Sequence, residues 1–377
     1  MNSPQDNATT PLREARKHGI DTSWANRLIC WLGSVKFAVI LLVLLIFVLA
    51  LATILEGTRG PEFVHWHIYG RPWFDSLFVL LAVNILAATL SRYPWGGRQF
   101  GFIITHTALL VLLVGIAQSR LFGTEGRILL EQGVAQDRFV LPQRSEIRVS
   151  MPQTAERRCV VCSFAAGPED WPEEKELELG AIDGIEFVVE QFRRHGANRL
   201  SPLAVDALGR DVSESEASIR LEAQVGGVPV SLWLDRNGQN QTIDTARGPL
   251  LASFGYSHQQ LGFSLELLQL QRTWNPGGVG YSSMVSKVRL VDQEPAVDRI
   301  AEIAVNKPLT HKGHTFYQLD VHTSPDGKVL SILQVTRHPG RPLIYLGVVF
   351  VCLGTLITII RRSPDMTKPS NGEGRER

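Results

Sequence analysis

The chain has 377 residues, of which 44% are hydrophobic, and a formal net charge of +1. A chain so close to neutral carries no global basic field, so no nucleic-acid partner is expected. Its four cysteines, Cys30, Cys159, Cys162 and Cys352, are too few to staple a domain, so any folded module must bury an apolar core.

The hydrophobic residues are bunched. A polar opening to about Ala15 gives way to the apolar run Val35–Leu55, long enough to cross ~30 Å of hydrocarbon. Ala50-Leu51-Ala52 imitates a cleavage site, but the run exceeds the ~7–15 residues of a signal core, so a retained anchor is expected. A second span follows at Trp73–Leu90 and carries Asn84; a third at Phe100–Ala117 carries His106. From Ser119 to Arg341 the pattern changes to short runs of alternating polarity. These are Arg127–Glu131, Glu146–Ser150, Gly184–Glu190, Ser218–Gln224, Phe263–Leu270, Val285–Val291, Ile300–Val305, His314–Val321 and Val329–Thr336. Pairs such as Gly226-Gly227, Asn237-Gly238, Gly277-Gly278 and Asp326-Gly327 punctuate them as turns. A fourth span, Leu343–Ile360, precedes a polar tail expected to be disordered.

The fold class so defined is a membrane protein with four transmembrane α-helices. A large all-β, antiparallel, sandwich-like domain lies between helices 3 and 4. The expected divisions are 1–34, 35–118 (three spans), 119–341 (β domain), 342–361 (fourth span) and 362–377. Lys and Arg near span ends set the orientation. Arg13, Arg16, Lys17, Arg27 and Lys36 precede the first span, Arg92 and Arg98 link the second to the third, and Arg361, Arg362 and Lys368 follow the fourth. Four spans put all three groups on one side, which predicts cytoplasmic termini and an extracytoplasmic β domain. Trp31, Trp66, Trp73, Tyr93 and Trp95 flank the spans, where amphipathic rings favour the headgroup layer of the membrane lipid.

Histidines are the main candidates for chemistry. His106 lies some 9 Å into the third span, counting ~1.5 Å per residue from Phe100. An imidazole there needs a partner or a cavity: it is either a functional group or hydrogen-bonding glue between helices. His65 and His67 sit in the loop after the first span, where they are either solvated or ligands to a metal or haem iron. His338, just before the fourth span, is placed to meet that loop at the membrane surface. His311 and His314, with His322 nearby, have no Cys or acidic residue at a matching spacing, so no metal site is expected there. Cys159-Val160-Val161-Cys162 is the chain's CxxC, but residues three apart on a strand face opposite ways and cannot bridge. No P-loop, GxSxG, HExxH or dinucleotide fingerprint is present.

Several stretches together resemble the ResB (CcsB) family of System II cytochrome c biogenesis proteins. They are Trp73-Phe74 with Asn84 and Ser91-Arg92; Phe100-Gly101-Phe102-Ile103-Ile104-Thr105-His106 with Gly115 and Gly123; and Val305-Asn306-Lys307-Pro308-Leu309 with Gly313 and Phe316-Tyr317-Gln318. Pro339-Gly340 and Tyr345-Leu346-Gly347 continue the likeness into the last span. It covers roughly residues 34–130 and 260–360, and between about 135 and 260 extends only to β character. The resemblance implies a subunit that works with a CcsA/ResC-type membrane protein, carrying haem across the membrane for attachment to apocytochrome c. It makes His106 the leading haem-ligand candidate, with His65, His67 and His338 as outer candidates, and no catalytic residue. His314 stands where the family pattern leads one to expect an aromatic residue. Two other roles stay open: a chaperone that stabilises the partner without touching haem, and an exported thiol reductant using Cys159 and Cys162.

Overall fold

The computed structural model describes residues 23–151, 159–165, 167–172, 175–194, 217–236, 238–276, 281–294, 296–323 and 328–362. The Asn237, Gly277-Gly278 and Asp326-Gly327 turn positions and the tail after Arg362 lie outside them. The chain forms two compact units, one of residues 1–55, 68–117 and 340–377, the other of 56–67 and 118–339.

The helices in chain order are α1 (Ser23–Leu32), α2 (Val35–Arg59), α3 (Pro61–Val64), α4 (Pro72–Leu90), α5 (Phe100–Phe122) and α6 (Arg341–Arg362). Four of them, α2, α4, α5 and α6, are long and apolar enough to cross a membrane. Their surfaces are inverted relative to a water-soluble bundle: α2 exposes Ile40, Val43, Ile46 and Phe47. Such side chains are at ease against lipid, and the helix meets its backbone hydrogen bonds internally. Residues 23–32, read from sequence only as part of a cytoplasmic segment, form α1. Asn84 explains its own presence in a span, because its Nδ2 donates to the carbonyls of Leu32 at 2.5 Å and Ser34 at 3.3 Å. It thereby satisfies the Leu32 carbonyl left open at the end of α1, while the Ser34 carbonyl also accepts from Ala38 N.

Small residues let α5 and α6 approach closely. A Cβ at Gly115 would fall 2.9 Å from the backbone N of Ile344, and one at Gly347 would fall 3.0 Å from the N of Leu112. Gly101 and Gly354 meet at the other end of the same crossing. This seam substitutes for hydrophobic driving force, which helices in lipid lack.

The second unit holds fourteen strands among the described residues. They are β1 (Thr124–Glu131), β2 (Ala135–Ser150), β3 (Cys159–Phe164), β4 (Leu177–Ile182), β5 (Ile185–Arg193), β6 (Ser218–Val225) and β7 (Val228–Asp235). Then come β8 (Gln241–Thr245), β9 (Gly248–Trp274), β10 (Tyr281–Asp292), β11 (Val297–Ala304), β12 (Leu309–His311), β13 (His314–Thr323) and β14 (Val329–Arg337). The larger sheet runs β11-β10-β9-β2-β1-β14-β13-β12, with β3 added on β2 and β8 on β9; the smaller runs β4-β5-β6-β7. All named strand pairs are antiparallel, as the alternating sequence requires. Gly226 and Gly227, at φ 60° and 81°, form the two-residue turn between β6 and β7, a conformation with φ > 0 that glycine adopts freely.

Two long strands organise this domain. β2 has 16 residues and β9 has 27, so the short runs at Glu146–Ser150 and Phe263–Leu270 are parts of longer strands. Pro142 lacks the N–H that a ladder needs, and the β2–β9 register jumps between Leu141 and Ser145 around it. Each long strand therefore bends and serves two cores. One core joins Ile147, Val149, Phe187, Ile219 and Phe254, between the small sheet and the later half of β2. The other joins Ile128, Phe139, Leu265, Phe316 and Val335.

Within the second core Ser286, Gln318 and Ser331 form a dry polar knot linking β10, β13 and β14. Ser286 Oγ donates to Gln318 Oε1 at 2.6 Å and lies 2.7 Å from Ser331 Oγ, while Gln318 Nε2 reaches the Asp320 carbonyl at 3.0 Å. Replacing Gln318 by Ala leaves two buried serines short of a partner. It is expected to cost about 1–3 kcal/mol, read as a lowered midpoint in denaturant unfolding. Gln318→Glu tests the same knot with the shape retained, and an unchanged midpoint in both variants would remove the knot's structural role.

Candidate functional site

His106 projects from α5 half-buried. Its Nδ1 lies 3.0 Å from the Phe102 carbonyl one turn earlier. A carbonyl only accepts, so Nδ1 carries the hydrogen and the neutral ring presents its lone pair at Nε2. The Phe102 ring, centred 3.7 Å away, packs on the imidazole, and the Arg92 guanidinium lies 3.9 Å from the centre of the same phenyl ring. Orientation and tautomer are thus fixed by local helix contacts, the arrangement that makes an imidazole a ready ligand.

The outer histidines do not converge as a pair. His65 and His67 lie in a π-helical turn, His65–Tyr69, where residues two apart point away from one another. His67 takes the same local posture as His106, with Nδ1 3.1 Å from the Phe63 carbonyl, and its Nε2 is 3.9 Å from Glu169. His65 faces elsewhere: burial holds its pKa below 6.5, Arg120 adds to that effect, and Glu125 opposes it. Glu125 also lies 3.6 Å from His338 Nε2. His65 and His338 are therefore brought to one carboxylate, and His67 is not. Among the described residues no group of three His, Cys, Asp or Glu is arranged to hold a metal ion.

The segment carrying His65 and His67 is folded into the β-domain unit. Glu62 pairs with Arg194 at 2.5 Å, and the Trp66 ring lies 3.2 Å from where a Cβ on Gly167 would be. Trp66, read from sequence as one of the rings at the membrane interface, thus has a packing role within this unit. A partner for His311 also escaped the spacing analysis. Asp292, on another strand, accepts from His311 Nε2 at 2.6 Å and Lys312 Nζ at 2.8 Å. Those contacts, Lys312 first, hold the Asp292 pKa down at about 2. His314 is buried against Phe139 and Phe263, and neither ring nitrogen has a partner.

Cys159 and Cys162 lie on β3, opposite Ser150 and Ile147, and both are free thiols. The strand separates them to opposite faces, and burial raises the Cys162 pKa. Neither feature suits a thiolate nucleophile.

Four apolar helices with one large antiparallel β domain between the third and fourth define a polytopic membrane protein. The model of the ResB-like family matches residues 227–332, from the β6–β7 turn into β14, so this part of the chain is similar to that family. That match begins inside the stretch where sequence alone offered only β character. Protein NrfI of Wolinella succinogenes is 24% identical over 323 residues, 82% of this chain and 33% of NrfI. The chain thus spans about a third of that relative's length. Cytochrome c Heme Lyase CcmF aligns over 84% of this chain and 34% of its own at 12% identity, with a TM-score of 0.22, a value at which no shared fold is argued.

Proposed function

We propose that this chain is an accessory membrane subunit of System II cytochrome c biogenesis, with haem as its cargo. In this reading it sits in the cell membrane with both termini cytoplasmic and the β domain outside. It works with a CcsA/ResC-type partner to present haem to apocytochrome c. The family match supports the pathway, and the Lys and Arg distribution supports the orientation. The observation that carries the cargo is the posture of His106. Haem is a flat apolar macrocycle whose iron takes imidazole axially, and the Nε2 lone pair of His106 is available to it within an apolar span. The Nδ1–H bond to Phe102 keeps that tautomer while iron binds and leaves. His65 and His338, sharing Glu125, are outer candidates for the next contact.

The chain should be purified with its partner and its absorption spectrum recorded. A Soret band is expected in the wild type, and His106→Ala should remove most of it and lower cytochrome c assembly at least tenfold. Assembly intact in His106→Ala, with no band in the wild type, would favour a chaperone that never touches haem. Changing Cys159 and Cys162 to Ser is expected to leave assembly unchanged; loss rescued by added thiol would instead support a reductant.

A further inference from the structure

The short helix α1 presents an apolar face that the described residues leave uncovered. Trp24, Leu28 and Trp31 recur at i, i+4 and i+7, which puts them on one side of the helix, and they are 70%, 46% and 60% exposed. Arg27 is exposed at the edge of the same stripe. Nor is α1 a continuation of the first span. It closes with Gly33 N donating to the Ile29 carbonyl at 2.8 Å, and Ser34 caps α2 afresh, its Oγ accepting from Phe37 N at 3.2 Å.

The depth of α1 follows from what its end touches. The Leu32 carbonyl accepts from Asn84, which lies six residues before the last residue of α4, about 9 Å along that helix. A Cβ on Gly33 would fall 2.6 Å from the backbone N of Ala88. The corner between α1 and α2 is therefore seated within the length of a span. That matches the depth, roughly 5–10 Å, to which the apolar face of an in-plane helix enters a bilayer. The exposed apolar surface then continues into Val35, Val39 and Ile40 of α2.

Charge and hydrogen bonding fit the same boundary. No acidic residue occurs from Ser23 to Leu55, whereas Arg27 and Lys36 are both exposed. Among the described residues no acceptor meets the indole N–H of Trp24 or Trp31, while that of Trp95 donates to the Thr89 carbonyl at 3.0 Å. An amphipathic ring with an open N–H is at home where hydrocarbon meets headgroup.

We propose that α1 is an in-plane lipid anchor. Trp24, Leu28 and Trp31 enter the acyl boundary of the bilayer, and Arg27 and Lys36 meet its anionic phosphate headgroups. Through Asn84 and Gly33 the anchor fixes the height of α4 in the membrane. The inference does not depend on haem being the cargo.

The test is a nitroxide label on the full-length protein, reconstituted in vesicles of phosphatidylcholine and phosphatidylglycerol. Two positions about 200° apart on α1 carry it in turn. One is the exposed Cys30, with Cys159, Cys162 and Cys352 changed to Ser; the other is Leu28→Cys, with all four native cysteines changed to Ser. The ratio of collisions with oxygen to collisions with a water-soluble nickel chelate should be several-fold higher at Leu28→Cys than at Cys30. Trp24→Ser with Trp31→Ser should lower the ratio at Leu28→Cys toward that at Cys30, and the melting curve should not move, because both rings are exposed. In phosphatidylcholine alone the ratio at Leu28→Cys should fall, and Arg27→Gln with Lys36→Gln should remove the difference between the two lipids. Equal ratios at the two positions would put α1 in water and overturn the anchor. A Leu28→Cys label shielded from both probes would mean that protein covers the stripe, which overturns lipid as its occupant. A ratio indifferent to lipid charge overturns the part given to Arg27 and Lys36.

Discussion

Alanine at Gly354 is expected to lower the stability of the helical unit by about 1–3 kcal/mol, while alanine at Gly57 leaves it unchanged or slightly higher. The contrast follows from what each new methyl group meets. At Gly354 the Cβ runs into Thr105 Oγ1 and falls 2.7 Å from the Thr105 backbone N and 3.0 Å from the Gly101 carbonyl. Thr105 cannot simply rotate away, because its hydroxyl donates to that same Gly101 carbonyl at 2.9 Å. The obstruction is backbone, so α6 must move off α5. At Gly57 nothing lies within 4 Å, and the change adds only helix propensity. Gly101→Ala opposes the same crossing from the other side, with its Cβ 2.8 Å from the Gly354 carbonyl. The double variant should therefore cost less than the sum of the two, since one displacement relieves both. Thermal unfolding in detergent measures all four proteins. If His106 ligates haem as proposed, Gly354→Ala should also weaken that binding with the imidazole itself intact, because His106 follows Thr105 directly on α5. Equal melting temperatures for Gly354→Ala and Gly57→Ala would show that the two helices are not held by this seam.

The spans were legible because apolar length is a one-dimensional property: all four runs coincide with helices, with α5 extending past Ala117 to Phe122. Alternation likewise located most of the larger sheet. It missed β3, β4, β7, β8 and β12, whose partners rather than their own patterns make them strands, as Cys159–Phe164 shows by pairing along β2. The length of β9 was hidden as well, since a strand that serves two cores reverses its buried face partway and breaks the period. Site chemistry was readable only where it is local. The Phe102–His106 contact is one helical turn, and a histidine in a span announces itself. Asp292 with His311 and Glu125 with His338 are meetings set by sheet topology, and no spacing rule reaches them.

Acid should destabilise the β domain in two separate windows, and His314 and Asp292 should account for one each. His314 is 6% exposed; burial first, then the nearby charge of Arg337, lower its pKa from 6.5 against an opposing backbone contact at Lys312, and neither nitrogen has a well-formed hydrogen bond. A base whose folded pKa is lowered takes its proton first in the unfolded chain. Its neutral form therefore supports the fold above about pH 6.5, and that support falls away as pH drops below it. His65 and His258 are shifted the same way and share this window. Asp292 behaves oppositely in range: its pKa drops from 3.8 to about 2, so its contribution is whole above about 3.8 and is lost as pH falls toward 2. His314→Phe replaces an unsatisfied ring by an apolar one between Phe139 and Phe263. It should raise stability by about 1 kcal/mol at pH 7 and by more at pH 5, flattening the upper window without touching the lower. Asp292→Asn should do the reverse, flattening the slope between pH 4 and pH 2 while leaving His311 and Lys312 without their carboxylate. Denaturant unfolding of the full chain across pH 2–8 separates the two. A His314→Phe curve parallel to wild type from pH 7 to 5 would mean that this imidazole finds a proton acceptor in the folded protein, and that its burial is not what makes the domain sensitive to mild acid.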